Sequence, residues 1–282
     1  MSAAADSDFL QAMAASSRQR DARARAQLSD AQQLTLLATL DPPKPLRLKA
    51  GAFDVIAEIK KRSPAEGKLD TGSSSPAEQA AAYIRGQAAA LSVLTEPERF
   101  DGSLDDLQAV VAMAGDTPVM RKDFLVSRYQ VREARLAGAS GVLLIAGMLD
   151  ADRLEALLQT AFELDMFALV EVFDSADLDA CLPVLERAGN AMEGDRCRLL
   201  LGVNCRDLRS LQVDFGHFAR MAKWLPPAIP CVAESGLKTA DQAQALAALG
   251  YRLALVGTTL MRSDNPAAMV AAIRKEGAAT CS

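Results

Sequence analysis

A chain of 282 residues, half of them hydrophobic and 24% charged, has the length for one large domain or two small ones and the composition of a globular protein with a sizeable core. Its 31 Lys and Arg against 36 Asp and Glu leave a net charge of −5, so no global positive field favours nucleic acid or an anionic membrane surface. The longest nearly apolar run, Gly141 to Leu149, is far short of the roughly 20 residues a membrane span needs, and the chain reads as a soluble cytoplasmic protein without nucleic-acid or membrane partners.

Residues 1–50 read as an N-terminal helical extension and linker. A helix is predicted from about Asp8 to Gln27 and a second from about Ser29 to Thr39, followed by Pro42-Pro43-Lys44-Pro45. The series Arg18, Arg20, Arg23, Arg25 has the look of an organelle transit peptide, but Asp6, Asp8 and Asp21 count against it.

From residue 51 to 276 eight short runs rich in Val, Ile and Leu follow one another: Val55 to Ile59, Leu91 to Leu94, Pro118 to Met120, Gly141 to Ile145, Phe167 to Val172, Leu199 to Val203, Pro230 to Ala233 and Leu253 to Val256. Each gap has room for one helix and two loops, the rhythm of a parallel βαβ sheet. Ser75 with Glu78, Ser127 with Gln130 and Thr239 with Gln242 each have capping-box spacing. Pro76 suits a first helical position, and Gly138 and Gly250 suit left-handed C-caps. The expected fold is α/β, a (β/α)8 TIM barrel with an N-terminal helical extension. An open doubly wound sheet of eight strands has the same rhythm, but no Gly-x-Gly-x-x-Gly follows the first run. Residues 277–282 read as a frayed tail.

Cysteines 181, 197, 205, 231 and 281 are odd in number and none forms a Cys-x-x-Cys pair, which argues for a reducing compartment without disulfides or a zinc knuckle. With His217 as the single histidine, a multi-histidine metal site is excluded, and catalysis falls to Lys, Glu, Asp, Arg or polar groups. In a barrel such groups belong at the C-terminal ends of strands. There the chain places Glu58 and Lys60, Thr95, Lys122, Glu171, Asn204 and Arg206, Glu234 and Ser235, and Gly257 and Thr258. Alternation puts Glu58 with Lys60, Lys122 with Phe124, and Asn204 with Arg206 on common faces, and lysine beside glutamate in a partly dry pocket supplies an acid and a base. Glu234-Ser235-Gly236 and Val256-Gly257-Thr258-Thr259 have the glycines and hydroxyls of a phosphate site after the last two strands, so a small phosphorylated substrate is implied.

At these residues the sequence resembles the indole-3-glycerol-phosphate synthase family, through Ile56-Ala57-Glu58-Ile59-Lys60-Lys61-Arg62-Ser63-Pro64, Phe100-Asp101-Gly102-Ser103-Leu104, Arg121-Lys122-Asp123-Phe124, Val170-Glu171-Val172, Gly202-Val203-Asn204-Cys205-Arg206-Asp207-Leu208 and the two glycine motifs. The resemblance implies closure, decarboxylation and dehydration of 1-(2-carboxyphenylamino)-1-deoxyribulose 5-phosphate, without a cofactor. It implies Lys122 as general acid, with further acid and base roles divided among Lys60, Glu58 and Glu171. Ser63 and Asn204 would position substrate, Arg206 and Glu234 would shape the charge of the mouth, and Phe124 would pack on the anthranilate ring. Ser235, Gly236, Gly257 and Thr258 would hold the phosphate, and the N-terminal helices would lie by the mouth. A monomer is expected, with other tryptophan-pathway enzymes as possible partners.

Two departures stand out. Phe173 follows Val-Glu-Val where the family has histidine, either tuning Glu171 or lying beyond the pocket, and the segment Arg187 to Arg198 is long. Cys205 should point away from the mouth, and Lys61 to Ser75 reads as a loop able to close over substrate. Competing readings are phosphoribosylanthranilate isomerase or another phosphate-binding barrel, a Schiff-base aldolase using Lys122, and a catalytically silent paralogue that binds phosphate metabolites.

Overall fold

The computed structural model describes residues 3–63, 67–68, 75–206 and 212–279. Its centre is a closed barrel of eight parallel strands: β1 (Asp54–Ile59), β2 (Ala90–Leu94), β3 (Val119–Lys122), β4 (Gly141–Ile145), β5 (Phe167–Val172), β6 (Leu199–Asn204), β7 (Cys231–Glu234) and β8 (Leu253–Val256). Each predicted run supplies one strand, and β8 pairs back onto β1 through Leu255 and Ile56, which decides the barrel over the open sheet.

The apolar runs are nearly continuous because each strand is buried on both faces. Val55, Ala57, Leu91, Val93, Leu201 and Val203 face the surrounding helices. Ile56, Met120, Leu143, Leu169, Leu200, Val232 and Leu253 fill the lumen. Shifting any strand by one residue would exchange these two sets, so the core fixes which polar groups reach the mouth.

Local chemistry starts several helices. Ser75 and Glu78 form a reciprocal capping box with Pro76 in the first turn. Gly138 and Gly250 adopt φ of +91° and +94° at helix exits, as their sequence positions predict. Ser127 caps its helix, but the Gln130 side chain accepts from Val126 N–H and donates to Ser17 instead of reaching back to the cap. Gln242 accepts from the backbone N–H groups of Lys238 and Thr239, and its helix begins after Asp241 without a Thr239 cap. The same hydroxyl-to-amide spacing serves a tight turn as well as a helix start.

The N-terminal helices run from Ala3 to Gln27 (α1) and from Asp30 to Leu37 (α2), the first beginning earlier than its sequence signal. Leu10 and Met13 of α1 join the lumen cluster from above. Further contacts bind both helices to the segment after β3: Ser17 with Gln130, Asp21 with Ser127, Leu28 O with the Tyr129 hydroxyl, and Gln33 with Tyr129 O.

The long segment before β6 closes the opposite end. It folds as a hairpin, Met192–Glu193 against Arg196–Cys197, with Gly194 at φ +63° in the turn, and Arg196–Cys197 pairs with Leu46–Arg47. Leu46, Leu48 and Cys197 thereby enter the lumen cluster from below. At the C-terminus the helix Pro266–Ala278 carries Gly277, read from sequence as the start of a frayed tail, into contact with Phe53, where a Cβ would overlap the ring.

Candidate active site

The strand ends turn their polar residues into one cavity of about 1110 Å³ at the C-terminal mouth of the barrel. Glu58, Lys60, Ser63, Lys122, Phe124, Glu171, Asn204, Arg206, Glu234, Ser235, Gly236, Gly257 and Thr258 all line it. Thr95 does not: Leu94 takes the lumen face, so alternation turns Thr95 outward, where it donates to Asp123 at 2.7 Å and accepts from Arg121 at 3.1 Å. His217 stands outside that wall, at the start of the helix His217–Ala222.

Two lysines organise the centre. Lys60 Nζ meets Glu58 at 2.5 Å across the end of β1. Lys122 Nζ, reaching in from β3, donates to Glu171 Oε2 at 3.2 Å and lies 3.7 Å from Glu234 Oε2. The other Glu171 oxygen accepts from Asn204 Nδ2 at 3.3 Å, and Asn204 Oδ1 accepts from Arg206 N–H. Glu58, Glu171 and Glu234 are all less than 5% exposed, so these charges interact in a medium far less screening than water.

Their titrations follow. Burial alone would depress Lys122, but Glu171, Glu234 and Glu58 outweigh it and hold the amine protonated well above its ordinary range. Burial likewise opposes ionisation of Glu58, yet Lys60 and Lys122 keep its carboxyl below the usual value. Glu234 goes the other way: burial, then the neighbouring Glu171, push it well above the carboxylate range, with Lys122 only partly offsetting them. Neither Glu234 oxygen receives a hydrogen bond from a protein donor among the described residues. The site therefore holds a protonated amine, ionised Glu58 and a carboxyl biased toward its neutral form, an acid–base set without histidine.

Backbone shape builds the other half. Ser235 and Gly236 are consecutive left-handed residues, with φ of +69° and +78°, and such a turn directs successive N–H groups to one side, where an anion can sit. A Cβ on Gly236 would lie 2.7 Å from Val213 and 2.9 Å from Cys205. Thr259 Oγ1 donates to Leu237 O at 2.5 Å, tying the loops after β7 and β8 together. Gly257 has a second effect: a Cβ there would overlap the Glu58 carboxylate, so this glycine also leaves room for the Glu58 and Lys60 pair.

Phe173 lines the cavity and does not lie beyond it. Cys205 sits in the outer core, its thiol pushed up to about 12 by burial. Of the expected closing loop, residues 64–66 and 69–74 lie outside the described residues, while Ser63 pairs with Gly67. The cavity also uses residues that strand-end reading did not single out. Phe9 of α1 stands edge-on to Phe124 with ring centroids 6.1 Å apart, and the Phe100 ring lies 6.2 Å from Phe124 at a tilt. Lys238 and Arg262 add cationic side chains near the two glycine turns. Phe100 lies in a quoted motif and Lys238 two residues past Gly236, but nothing in the local pattern ties Phe9 to the mouth.

A family model described as indole-3-glycerol phosphate synthase matches residues 10–273. The indole-3-glycerol phosphate synthase of a Nocardioides species is 47% identical over 232 residues, covering 82% of this chain and 84% of its own. That of a Parafrankia species is 43% identical over 256 residues, covering 88% and 90%. Among solved structures, 3-hexulose-6-phosphate synthase from Salmonella typhimurium superposes with a TM-score of 0.62 at 15% identity over 80% of this chain and 99% of that one, a likeness of fold alone.

Proposed function

The chain belongs to the indole-3-glycerol phosphate synthase family, carboxy-lyases of tryptophan biosynthesis, and from that premise we propose how its cavity divides the work of closing, decarboxylating and dehydrating 1-(2-carboxyphenylamino)-1-deoxyribulose 5-phosphate. The observation that carries the reading is Lys122, a buried, protonated amine held between Glu171 and Glu234.

The substrate phosphate binds the turns of Ser235, Gly236, Gly257 and Thr258, where hydroxyls and backbone N–H groups supply donors. The anthranilate ring packs on Phe124, beside Phe9 and Phe100, with Ser63 and Asn204 orienting the chain between ring and phosphate. Attack of the ring carbon that bears the carboxylate on the ketone carbon forms the new carbon–carbon bond and leaves charge on the ketone oxygen. Lys122 protonates that oxygen. Carbon dioxide then departs, and the electrons of the broken bond restore the aromatic ring. In the last step the carbinol hydroxyl leaves as water, protonated by Lys60 or Lys122. Glu171 or Glu58 takes a proton from the adjacent methylene, forming the indole double bond. Arg206 and Glu234 set the potential in which these transfers occur.

Incubation of the purified, metal-stripped protein with this substrate tests the reading. Formation of indole-3-glycerol phosphate that is lost in Lys122→Ala supports the acid assignment, and turnover retained in that variant refutes it. The enzyme acts as a cytoplasmic monomer in this proposal. Sedimentation as a dimer at micromolar protein would overturn the monomer.

A further inference from the structure

Lys122, Asp123 and Phe124 all border the cavity, but the carboxylate of Asp123 is fully buried and engaged by Arg20, Thr95 and Arg121. It accepts hydrogen bonds from four residues. Arg20 of α1 donates one guanidinium nitrogen to each oxygen at 2.8 Å, Thr95 Oγ1 donates at 2.7 Å, Arg121 at 3.0 Å and Phe124 N–H at 2.8 Å. Arg121 continues the network to Glu133 at 2.8 Å.

The location matters because β3 is weakly braced there. Its ladder to β2 extends to Lys122 through Leu94, but its ladder to β4 stops at Arg121 and Val142. The backbone that carries Lys122 and Phe124 therefore runs past its last strand partner on one side, and Asp123 supplies the anchor in its place.

We propose that Arg20 is a positioning residue: through its bidentate grip on Asp123, α1 locks the end of β3 and so holds Lys122 between Glu171 and Glu234 and Phe124 at the cavity wall. The proposal rests on the reading of Lys122 as the acid. Fastening α1 to the barrel would not by itself require this pair, since Leu10, Met13, Ser17, Asp21 and Asp30 already hold the N-terminal helices down. A buried ion pair gives little net stability because desolvation offsets its attraction, whereas a two-bond guanidinium–carboxylate contact fixes both distance and plane. A displacement of about 1 Å at a reacting group costs as much as 100-fold in rate, so fixing the plane has a direct effect on turnover.

The test measures single-turnover rate, KM, thermal stability and amide exchange across residues 121–126 in full-length Arg20→Ala, Arg20→Lys, Asp123→Asn and the Arg20→Ala/Asp123→Asn pair. The expected result is a rate loss of about tenfold or more in Arg20→Ala and in Asp123→Asn, with KM changing less than about threefold. The double variant should be no slower than the slower single variant, Arg20→Lys should recover part of the rate, and the Phe124 amide should exchange faster in Arg20→Ala. A loss confined to melting temperature or KM, with rate and exchange unchanged, would overturn the proposal and leave Arg20 a helix fastener. Should Arg20→Ala fail to fold, Arg20→Lys and Asp123→Asn decide by the same split. Lys122→Ala, run alongside, separates this from the acid assignment. Full turnover there removes Lys122 from the chemistry, while faster Phe124 exchange in Arg20→Ala still reports loss of the lock.

Discussion

At the floor of the barrel Leu46, Leu48 and Cys197 are each under 5% exposed and belong to the apolar lumen cluster, and the ion pair nearby, Arg274 with Asp54 at 3.1 Å, matches one cation to one carboxylate. At the mouth, Glu58, Glu171 and Glu234 are as deeply buried, yet they share Lys60 and Lys122, and Glu234 is left without a protein hydrogen-bond donor among the described residues. The floor is closed by apolar packing, whereas the mouth buries ionisable groups, one of them a carboxyl with no protein donor among the described residues. Unsatisfied groups are expensive to bury, so they mark where structure is committed to chemistry.

The contrast can be broken first at its centre. Lys122→Ala should lower kcat by about 10²- to 10⁴-fold, the range of a general acid, with circular dichroism unchanged. Leu46→Ala should do the reverse, costing about 2–5 kcal/mol of stability in denaturant titration while kcat holds. A floor variant that lost activity in proportion to stability would erase the distinction. Gly236→Ala forces a Cβ toward Val213 and Cys205 at a left-handed position and should raise KM about tenfold, a penalty of about 1.4 kcal/mol, more than it lowers kcat.

Two carboxylates of the mouth should also respond to pH with opposite signs. Glu58, lowered in the folded state, contributes stability that is present above its unfolded value and lost as pH falls through the folded one, so Glu58→Gln should flatten the acid side of a melting-temperature profile. Glu234, raised in the folded state, contributes stability present at low pH and lost as pH rises through its folded value, so Glu234→Gln should gain on the parent protein toward higher pH. Parallel profiles for both variants would contradict the assigned charge states. The smallest expected change is at Phe173, which lines the cavity near Glu171: Phe173→His should move the acidic limb of the rate profile, and an unmoved limb would make Phe173 simply wall.

Much of this was legible in the chain. Eight apolar runs predicted eight strands because a parallel strand buried on both faces must be apolar throughout, and the interruptions at Glu58, Lys122, Glu171 and Glu234 then stood out as charges where charge is excluded. Alternation correctly put Cys205 outside, but Thr95, read only as a polar residue after a strand, fell on the outer face with Asp123. The unequal roles of Arg121, Asp123 and Lys122, three adjacent charged residues, could not be separated by type or spacing.

The sequence by itself determined the succession of strands along the chain, the left-handed glycine turn at Gly236 and which charges share a face, because alternation, capping and left-handed φ are local properties of a few neighbouring residues. Only the tertiary structure decided that β8 closes on β1, that the segment before β6 pairs with Leu46–Arg47 to seal the floor, and that Phe9 and Arg20 reach Phe124 and Asp123 more than 100 residues away. The physical reason is the same in each case: these contacts join residues distant in the chain, and which partner is met depends on the packing of the whole barrel, not on any residue's own preference.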